Sequence, residues 1–492
     1  MTEAVIVWFR QDLRLKDHPA LRAAADSDRP VLTVYILDDD SAGRWASGGA
    51  SRWWLHHSLA ALAGELRQRY QRTLVLRRGE AASILVELCR RSGARAVYCS
   101  RHCEPWAAGQ EQSVQRRLAA EGVELRSYPG HLLFAPETLR NRSGQPFRVF
   151  TPFWRTCLAA PEPELPQPAP ATLGTALDDM VSDPLDSWQL RPQEPDWAST
   201  WSQYWQPGTV GATRQLAGFL RQTLPDYVQG RDWPARTLTS RLSPHLHFGE
   251  ISVRAVWHAC QQVARDHPSL GAATDKFLSE IGWREFSHHL LHHFPDLPDT
   301  VFRRDFAAFP WRDAPAERRA WQRGQTGYPL VDAGMRELWS TGYMHNRVRM
   351  VTASFLTKHL LQHWRHGEAW FRDTLVDADL ANNACSWQWV AGSGVDAAPY
   401  FRIFNPCTQG EKFDPRGEYV RRWVPELAAL PERYLHRPFD APPELLHSAG
   451  LRLGEHYPRP LVEHGFARAR ALAAYQSLRE HGAGDSNSTQ NA

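Results

Sequence analysis

The sequence has no hydrophobic run of about 18 residues, the length that a membrane-spanning helix requires. The N-terminus, with Glu3 ahead of a short apolar run, also lacks the layout of a signal peptide. The seven cysteines are an odd number and form no CxxC pair, which argues against a disulfide framework and against a zinc ribbon. We therefore expect a soluble, cytoplasmic protein with reduced thiols.

Two common nucleotide-binding motifs are missing as well. No GxGxxG follows the first predicted strand, and GxxxxGK[ST] occurs nowhere. The net charge is only +3, so composition by itself predicts no nucleic-acid partner. Tryptophan, in contrast, is abundant: 21 Trp exceed both the 13 Tyr and the 20 Phe, which is unusual for an ordinary core.

The chain of 492 residues is long enough for two to four domains. Short β-branched runs near 4–9, 31–36, 74–76, 96–100 and 124–127 alternate with helical spacing, which predicts an α/β domain with a mostly parallel sheet over 1–135. Eight prolines between Pro161 and Pro195 indicate a connector, assigned to 136–205. Amphipathic segments near 211–223, 251–265, 273–293, 330–341 and 345–364 predict a mainly helical domain over 206–480, and the polar residues 481–492 a disordered tail.

A hydroxyl-rich segment precedes one of these helical regions. It consists of Thr239, Ser240, Arg241, Leu242 and Ser243. Consecutive hydroxyls and a guanidinium suit a diphosphate. A simple helix-capping turn uses the same residue types and is the commoner explanation.

Another helical segment places Glu280, Trp283 and Arg284 on neighbouring parts of one face. A carboxylate, an indole and a cation together could hold a base, but a salt bridge beside a core tryptophan would look the same. Asn346 and Met350 share a face in MHNRVRM, where such pairs usually pack in the interior.

Two further groups could carry chemistry. The histidines form two i, i+4 pairs without an HExxH glutamate, so we expect no metal site at His288, His289, His292 and His293. Acidic and amide side chains crowd ahead of two tryptophans, at Asp377, Asp379, Asn383, Trp387 and Trp389. Carboxylates beside aromatic rings serve either hydrolytic acid/base chemistry or the anchoring of a sugar hydroxyl or a ring N–H, and the spacing does not choose between them.

Several longer motifs occur in an order typical of one family. They are WFRQDLRLKDHPAL, TSRLSPHLHFGEIS, WREF, GYPLVDAGMREL, GYMHNRVRM, DADLANNACSWQW and DAAPYFRIFNPCTQGEKFDP. From residue 7 to about 423 the sequence resembles the photolyase and cryptochrome family, and most of all the class I photolyases that repair cyclobutane pyrimidine dimers. The resemblance implies an α/β antenna domain, a connector and a helical domain that binds FAD.

The resemblance also implies roles for residues in the cofactor site. Tyr227 and the segment Thr239, Ser240, Arg241, Leu242 and Ser243 match the positions that hold the FAD diphosphate. The positions around the flavin are matched by Arg349, Asp377, Asp379 and Asn383, with Asn346 also assigned to the cofactor. Asn383 would face flavin N5. Trp311, Trp364 and Trp387 match the chain of tryptophans that carries electrons from the surface to the photoexcited flavin.

The substrate pocket of the dimer-repair branch is matched by Glu280, Trp283, Arg284, Asn346, Met350 and Trp389. Glu280 and Asn346 would contact the polar edges of the lesion and assist catalysis, while the two tryptophans would pack against it. The (6-4) repair branch carries histidines at the positions of Asn346 and Met350, so dimer repair is favoured.

The resemblance therefore implies a deoxyribodipyrimidine photo-lyase, a carbon–carbon lyase in which light-excited FADH⁻ lends an electron to a pyrimidine dimer flipped out of UV-damaged DNA. A cryptochrome-like blue-light photoreceptor that signals through a partner is the alternative. It is disfavoured by the retained pocket residues and by a chain that stops soon after the helical domain. A monomer is implied. An antenna chromophore, methenyltetrahydrofolate or a deazaflavin, stays undecided because the segment around Glu104 keeps only part of the family's polar pattern.

Overall fold

The chain divides into two compact units in the computed structural model, which describes residues 3–177, 180–396 and 401–488. Unit 1 comprises Met1–Val228, Thr239–Pro295 and Val376–Ala381, and unit 2 comprises Gln229–Leu238, Asp296–Leu375 and Asn382–Ala492. Both units contain discontinuous segments, whereas the predicted limits at 135, 205 and 480 divide the chain sequentially. Those limits stay predictions.

A five-stranded parallel sheet lies in unit 1. Its strands are β1 (Ala4–Phe9), β2 (Val31–Leu37), β3 (Leu74–Arg78), β4 (Ala94–Ser100) and β5 (Glu124–Tyr128), in the spatial order β3-β2-β1-β4-β5. All six residues of β1 are buried, as expected for a central strand covered on both faces. The predicted α/β class and the five predicted strands are confirmed.

Unit 1 also contains seven described helices of ten residues or more. They are α1 (Gly49–Tyr70), α2 (Ala81–Ser92), α3 (Pro105–Ala120), α4 (Phe150–Ala159), α5 (Thr209–Gly218), α6 (Val253–Asp266) and α7 (Gly271–His293). Helix α2 contributes Leu85 and Leu88 to the same buried cluster as Ile6 and Val34 of the sheet. Burial of these side chains is the main stabilising contribution to this layer.

Unit 2 is built mainly from helices, and seven of those described have eight residues or more. They are α8 (Pro315–Gln322), α9 (Pro329–Thr341), α10 (Asn346–Ser354), α11 (Trp364–Thr374), α12 (Leu380–Ala391, which begins in the last segment of unit 1), α13 (Pro406–Phe413) and α14 (His464–Ser488). The amphipathic segment near 345–364 is helical over most of its length, but it is not one unbroken helix. Helix α10 continues into a π-helical turn, Phe355–His359, and the chain leaves the helix at Leu361, whose φ of 52° is left-handed.

Between α4 and Trp201 the described residues contain no α-helix, only the 3₁₀ turn Leu185–Trp188, as the prolines predict. Helix α14 continues to Ser488 and so enters the predicted tail, because each residue added to an existing helix gains a backbone hydrogen bond. Residues 489–492 of that tail, and residues 397–400 of the last family motif, lie outside the described residues. No described helix combines the length and apolarity needed for a membrane crossing.

Gly282 allows α7 to approach α4 closely. A Cβ built on Gly282 would lie 2.6 Å from two ring atoms of Trp154, well inside van der Waals contact. Because Gly282 has no side chain, α7, the helix that carries Glu280 and Trp283, can lie directly against the Trp154 ring of α4.

Gly282→Ala should lower the free energy of unfolding by about 1–3 kcal/mol, because the added methyl group overpacks a rigid ring. Gly64→Ala in α1 is the matched control, since nothing lies within 4 Å of its added Cβ. It should stabilise by about 0.5–1 kcal/mol through helix propensity. Denaturant titration followed by circular dichroism measures both, and equal effects of the two substitutions would contradict the packing argument.

Candidate cofactor and substrate site

The hydroxyl-rich segment of unit 1 does not act as a capping turn. Ser243 begins a short helix, Ser243–His247, but no side chain caps it. Ser243 Oγ instead donates a hydrogen bond to Asp377 Oδ2 at 2.6 Å. The structure therefore brings together two residues that the sequence assigned to one cofactor.

Arg241 has an unusual backbone in the same segment. Its φ of 50° is left-handed, and its guanidinium carbon lies 4.3 Å from the centre of the Trp205 ring. Thr239 and Ser240 are half-buried. Two accessible hydroxyls beside a cation are a donor set that fits a diphosphate. Tyr227 is buried against Phe219 and Phe277, with ring centres 5.5 and 5.7 Å apart, so its ring also packs in the core.

Asp379 is a buried carboxylate between two histidines of unit 1. Its Oδ2 lies 3.4 Å from His288 Nε2 and 3.7 Å from His247 Nδ1. Burial favours the neutral acid, but His288 and His247 hold the pKa of Asp379 well below its usual range. Burial likewise opposes the charge of His288, but Asp379 raises the pKa of that imidazole. The pair is therefore a buried ion pair.

Arg284 lies inside unit 1, with only 11% of its side chain exposed. Its Nη2 donates to His131 Nε2 at 2.8 Å and its Nη1 to Glu285 Oε1 at 3.2 Å. Glu285 also accepts the backbone N–H groups of Leu133 and Phe134. The predicted contact of Arg284 with DNA would require the guanidinium to leave these partners, so a positioning role fits its geometry better.

Of the four clustered histidines, His288 takes part in the ion pair. His289 Nε2 accepts the backbone N–H of Phe147, and His293 Nε2 contacts the carbonyl of Pro136 at 2.9 Å. A different set, His131, His288 and Asp379, has its possible ligand atoms within 4.8 Å of one another. Because Arg284 donates to His131 Nε2, this set is better described as a charge-balanced hydrogen-bond network than as a metal centre.

One face of α7 presents Glu280 and Trp283, both half-buried. The Trp283 ring stacks on Phe150 with centres 3.7 Å apart and planes within 8°. Lys276 Nζ lies 3.0 Å from Glu280 Oε1, one helical turn away. The stacked pair forms an aromatic surface with a carboxylate beside it, and its use as a base-binding face stays a prediction.

In unit 2, Asn383 of α12 is fixed by Glu368 of α11. The Asn383 amide nitrogen donates to the Glu368 backbone carbonyl at 3.0 Å and to Oε1 at 2.9 Å. The sequence analysis missed Glu368, and no short-range spacing could have revealed it, because it is distant along the chain.

The three predicted electron-transfer tryptophans differ in exposure. Trp387 and Trp364 are buried, whereas Trp311 is partly exposed. His363 lies between two of them, with its ring centre 5.2 Å from Trp311 and 5.6 Å from Trp364. Trp387 packs closely on Gly367 of α11, where a Cβ would meet the indole at 2.0 Å. Trp387 and Trp364 thus lie inside unit 2 and Trp311 at its surface, while their electron-transfer role stays a prediction.

The remaining candidates in unit 2 lie on α10 and at the end of α12. Asn346 is exposed, and Met350, one turn later, is half-buried, so their shared face is accessible and not packed away. Arg349 Nε donates to the Met344 carbonyl at 2.7 Å. Trp389 Nε1 donates to the Asp396 carbonyl at 3.0 Å, which fixes its indole.

Unit 1 also contains a cavity of about 440 Å³ near the predicted antenna segment. Its walls combine polar and apolar side chains, including Arg101, Glu111, Leu132, Phe134 and His292. Glu104, whose chain neighbours Cys103 and Pro105 line the cavity, is itself buried, and burial raises its pKa.

The family profile "DNA photolyase" matches residues 5–171, and the profile "FAD binding domain of DNA photolyase" matches residues 277–477. The chain thus carries a photolyase-type FAD-binding domain, and the predicted cofactor FAD is confirmed.

Three relatives illustrate the similarity. A deoxyribodipyrimidine photo-lyase of Agrobacterium fabrum is 51% identical over 97% of this chain and 99% of its own length. Cryptochrome-1 of Arabidopsis thaliana is 37% identical over 99% of this chain and 74% of its own length. The crystal structure of a class III photolyase from Agrobacterium tumefaciens is 50% identical, with a TM-score of 0.93 over 98% of both chains. The predicted closeness to class I is therefore corrected to class III.

His288→Gln should reveal the charge of the buried pair. Because the folded pKa of His288 is raised, its stabilising contribution is present below the unfolded pKa of about 6.5 and is lost as the pH rises through the folded value. The lowered pKa of Asp379 makes its part of the contribution present above about 3.9 and lost as the pH falls through its folded value. Glutamine keeps an N–H donor without the charge.

We expect the substitution to cost about 3 kcal/mol near pH 6 and clearly less near pH 9. The exposed His366→Gln serves as the control and should stay within about 0.5 kcal/mol at both pH values. Denaturant unfolding at the two pH values measures the difference. A cost for His288→Gln that does not change with pH would show that the pair is not ionic.

Proposed function

The chain belongs to the photolyase and cryptochrome family, and on this premise we propose that it is a light-driven lyase that splits cyclobutane pyrimidine dimers in DNA. The observation that carries the proposal is the face of α7, where Trp283 is stacked rigidly on Phe150 beside the carboxylate of Glu280. A planar, supported indole suits a base or dimer taken out of the duplex. A carboxylate at its edge accepts hydrogen bonds from pyrimidine N–H groups.

The accessible face of α10 supports dimer repair over (6-4) repair. Asn346 is exposed and Met350 half-buried on this face. An amide donates and accepts hydrogen bonds, and a thioether packs against apolar ring carbons, but neither shuttles protons near neutral pH. The (6-4) chemistry uses histidines at these positions, so this pair suits a reaction without proton transfer.

FAD, when bound in its reduced form, supplies the light-excited electron. The chain's own residues bind and orient it. Ser243, held by Asp377, and the half-buried hydroxyls of Thr239 and Ser240 would hold the diphosphate. Asn383, with its amide nitrogen turned to Glu368, would offer its oxygen to the flavin. The cavity of about 440 Å³ in unit 1 is large enough for an antenna chromophore, either a folate or a deazaflavin.

Light dependence is the direct test of the proposed function. Purified, reduced protein is incubated with a thymine-dimer oligonucleotide in blue light and in darkness, and intact thymines are quantified. Recovery in light alone is expected. Its absence, in protein whose spectrum shows bound flavin, would sink the lyase assignment.

In the same assay, Trp283→Ala should weaken binding of the dimer in darkness by about 1–3 kcal/mol, roughly 5- to 150-fold, because the stacking surface is lost. Trp45→Ala, also half-buried in unit 1 but away from α7, is the control and should bind normally. Anisotropy titrations at one fixed salt concentration measure both, with the flavin spectrum confirming that the cofactor stays bound. Wild-type affinity of Trp283→Ala would refute the pocket assignment.

Trp364→Phe should slow photoreduction of the oxidised protein at least tenfold while sparing repair by protein that is already reduced. Phenylalanine is much harder to oxidise than indole, so the electron relay is interrupted. Trp201→Phe is the matched control: both tryptophans are buried, and neither indole N–H has a hydrogen-bond partner among the described residues. The readout is the absorbance change under blue light with an external reductant. Equal rates in the two variants would remove Trp364 from the relay.

The second candidate function is a blue-light photoreceptor, favoured by the 37% identity to Cryptochrome-1 of Arabidopsis thaliana over 99% of this chain. A photoreceptor would use the same chain of tryptophans to reduce the flavin, but it would need no pocket for a DNA lesion. Photoreduction without repair would support it. The monomeric state and the cellular compartment stay predictions.

A further inference from the structure

Lys358 is a buried amine in the π-helical turn Phe355–His359 of unit 2, with 1% of its surface exposed. Its Nζ donates to the backbone carbonyl of Ala391 at 2.6 Å and lies 3.3 Å from the centre of the Phe401 ring. Such single π-helical turns are frequent at functional sites. None of the sequence motifs pointed to this lysine.

Ala391 is the last residue of α12, the helix that carries Asn383, Trp387 and Trp389. The last carbonyls of a helix have no partner within the helix and form the negative end of its dipole. An ammonium group that donates to the Ala391 carbonyl supplies the missing hydrogen bond and places a positive charge at the negative end of the helix dipole. The adjacent Gly392 has a left-handed φ of 89°, which favours glycine and lets the chain turn back directly after α12.

Among the described residues, Lys358 forms no ion pair with an acidic side chain, and its Nζ contacts the Ala391 carbonyl and the Phe401 ring instead. The ionisable groups around the small cavity that Lys358 lines are Arg303, which pairs with Asp305 at 2.6 Å, together with Arg402 and Tyr475. A buried cation without a carboxylate is costly for folding. Its presence here suggests a function other than stability.

Trp389 lines the same cavity. The chain after α12 turns back, so that the N–H groups of Gly392, Ser393 and Gly394 all point to the carbonyl of Gln388 at 3.0–3.1 Å. The Trp389 indole then donates to Asp396 at the end of this turn. The hydrogen bond from Lys358 to Ala391 thus fixes one end of the segment 391–396, and the carbonyl at its other end accepts the Trp389 indole N–H.

We propose that Lys358 is a positioning residue that fixes the end of α12 and thereby the orientation of Trp389 as a wall of the lesion pocket. The part concerning the lesion rests on the proposed function. The part concerning the indole does not, so the two can be tested separately.

The indole is tested in the flavin-loaded protein labelled with 5-fluorotryptophan, with the ¹⁹F resonance of Trp389 assigned by its loss in Trp389→Phe. Lys358→Met removes the donor and the charge at similar volume, and Lys358→Gln keeps a donor without the charge. We expect Met to shift or broaden the Trp389 resonance and Gln to do so less. Lys16→Met, which removes an exposed lysine of unit 1, should change nothing. An unchanged resonance in both Lys358 variants would overturn the proposal.

The pH dependence gives a signature that a purely structural role would not produce. Burial lowers the pKa of Lys358 well below its usual value. The Trp389 resonance of the wild type should therefore titrate with a midpoint below the ordinary lysine value of about 10.4. This transition should be missing in Lys358→Met. If that variant titrates like the wild type, Lys358 does not act on Trp389.

Binding in darkness tests the lesion. Lys358→Met should weaken binding of a thymine-dimer oligonucleotide about tenfold and leave binding of the undamaged oligonucleotide within twofold. Equal weakening for both oligonucleotides would indicate a general charge effect and overturn the positioning of the lesion wall. If the wild type itself does not prefer the dimer, the proposed function fails, and the ¹⁹F result alone decides the positioning of Trp389.

Discussion

A carboxylate buried as deeply as Asp379 must be balanced by positive charge, and much of the interior of unit 1 depends on this requirement. His288 provides this charge, with its Nε2 3.4 Å from the carboxylate, and His247 Nδ1 lies 3.7 Å from the same oxygen. The Nδ1 of His288 in turn contacts the carbonyl of Arg284 at 3.0 Å, which fixes the ring. Because Asp379 is two residues from Asp377, the ion pair also fixes the backbone that holds Ser243. The cofactor segment is thus connected to the charge network through the hydrogen bond between Ser243 and Asp377.

Much of this arrangement can be predicted from the sequence. Short continuous apolar runs such as that of β1 predict central strands of a covered sheet, and the predicted strand bounds agree with the observed ones to within two residues. The i, i+3 spacing of Glu280 and Trp283 fixes their common face in any helix. The family motifs assign residues as far apart as Ser243 and Asp377 to one cofactor, and the structure joins these two by a hydrogen bond.

Other features could not be predicted, because they depend on contacts between distant residues. Arg284 follows Trp283 directly, yet it turns inward since His131 and Glu285 offer acceptors there. The break after the π-helical turn requires the left-handed Leu361, a residue type that gives no warning of such a conformation. Glu368 and Lys358 act on α12 through tertiary contacts alone. The family motifs also could not distinguish similarity to class I from similarity to class III, because the branches of the family share them.

The buried indole N–H of Trp364 has no protein acceptor among the described residues, and this affects how long separated charges would persist in the proposed electron relay. An oxidised indole is a much stronger acid than the neutral ring, and it loses its N–H proton when an acceptor is within reach. The N–H of Trp364 has no such protein acceptor among the described residues, so in the proposed relay a hole on this ring would keep its proton and could return or move on. Trp311 is partly exposed, so water could take the proton there, which would make the separated charges of the proposed relay long-lived.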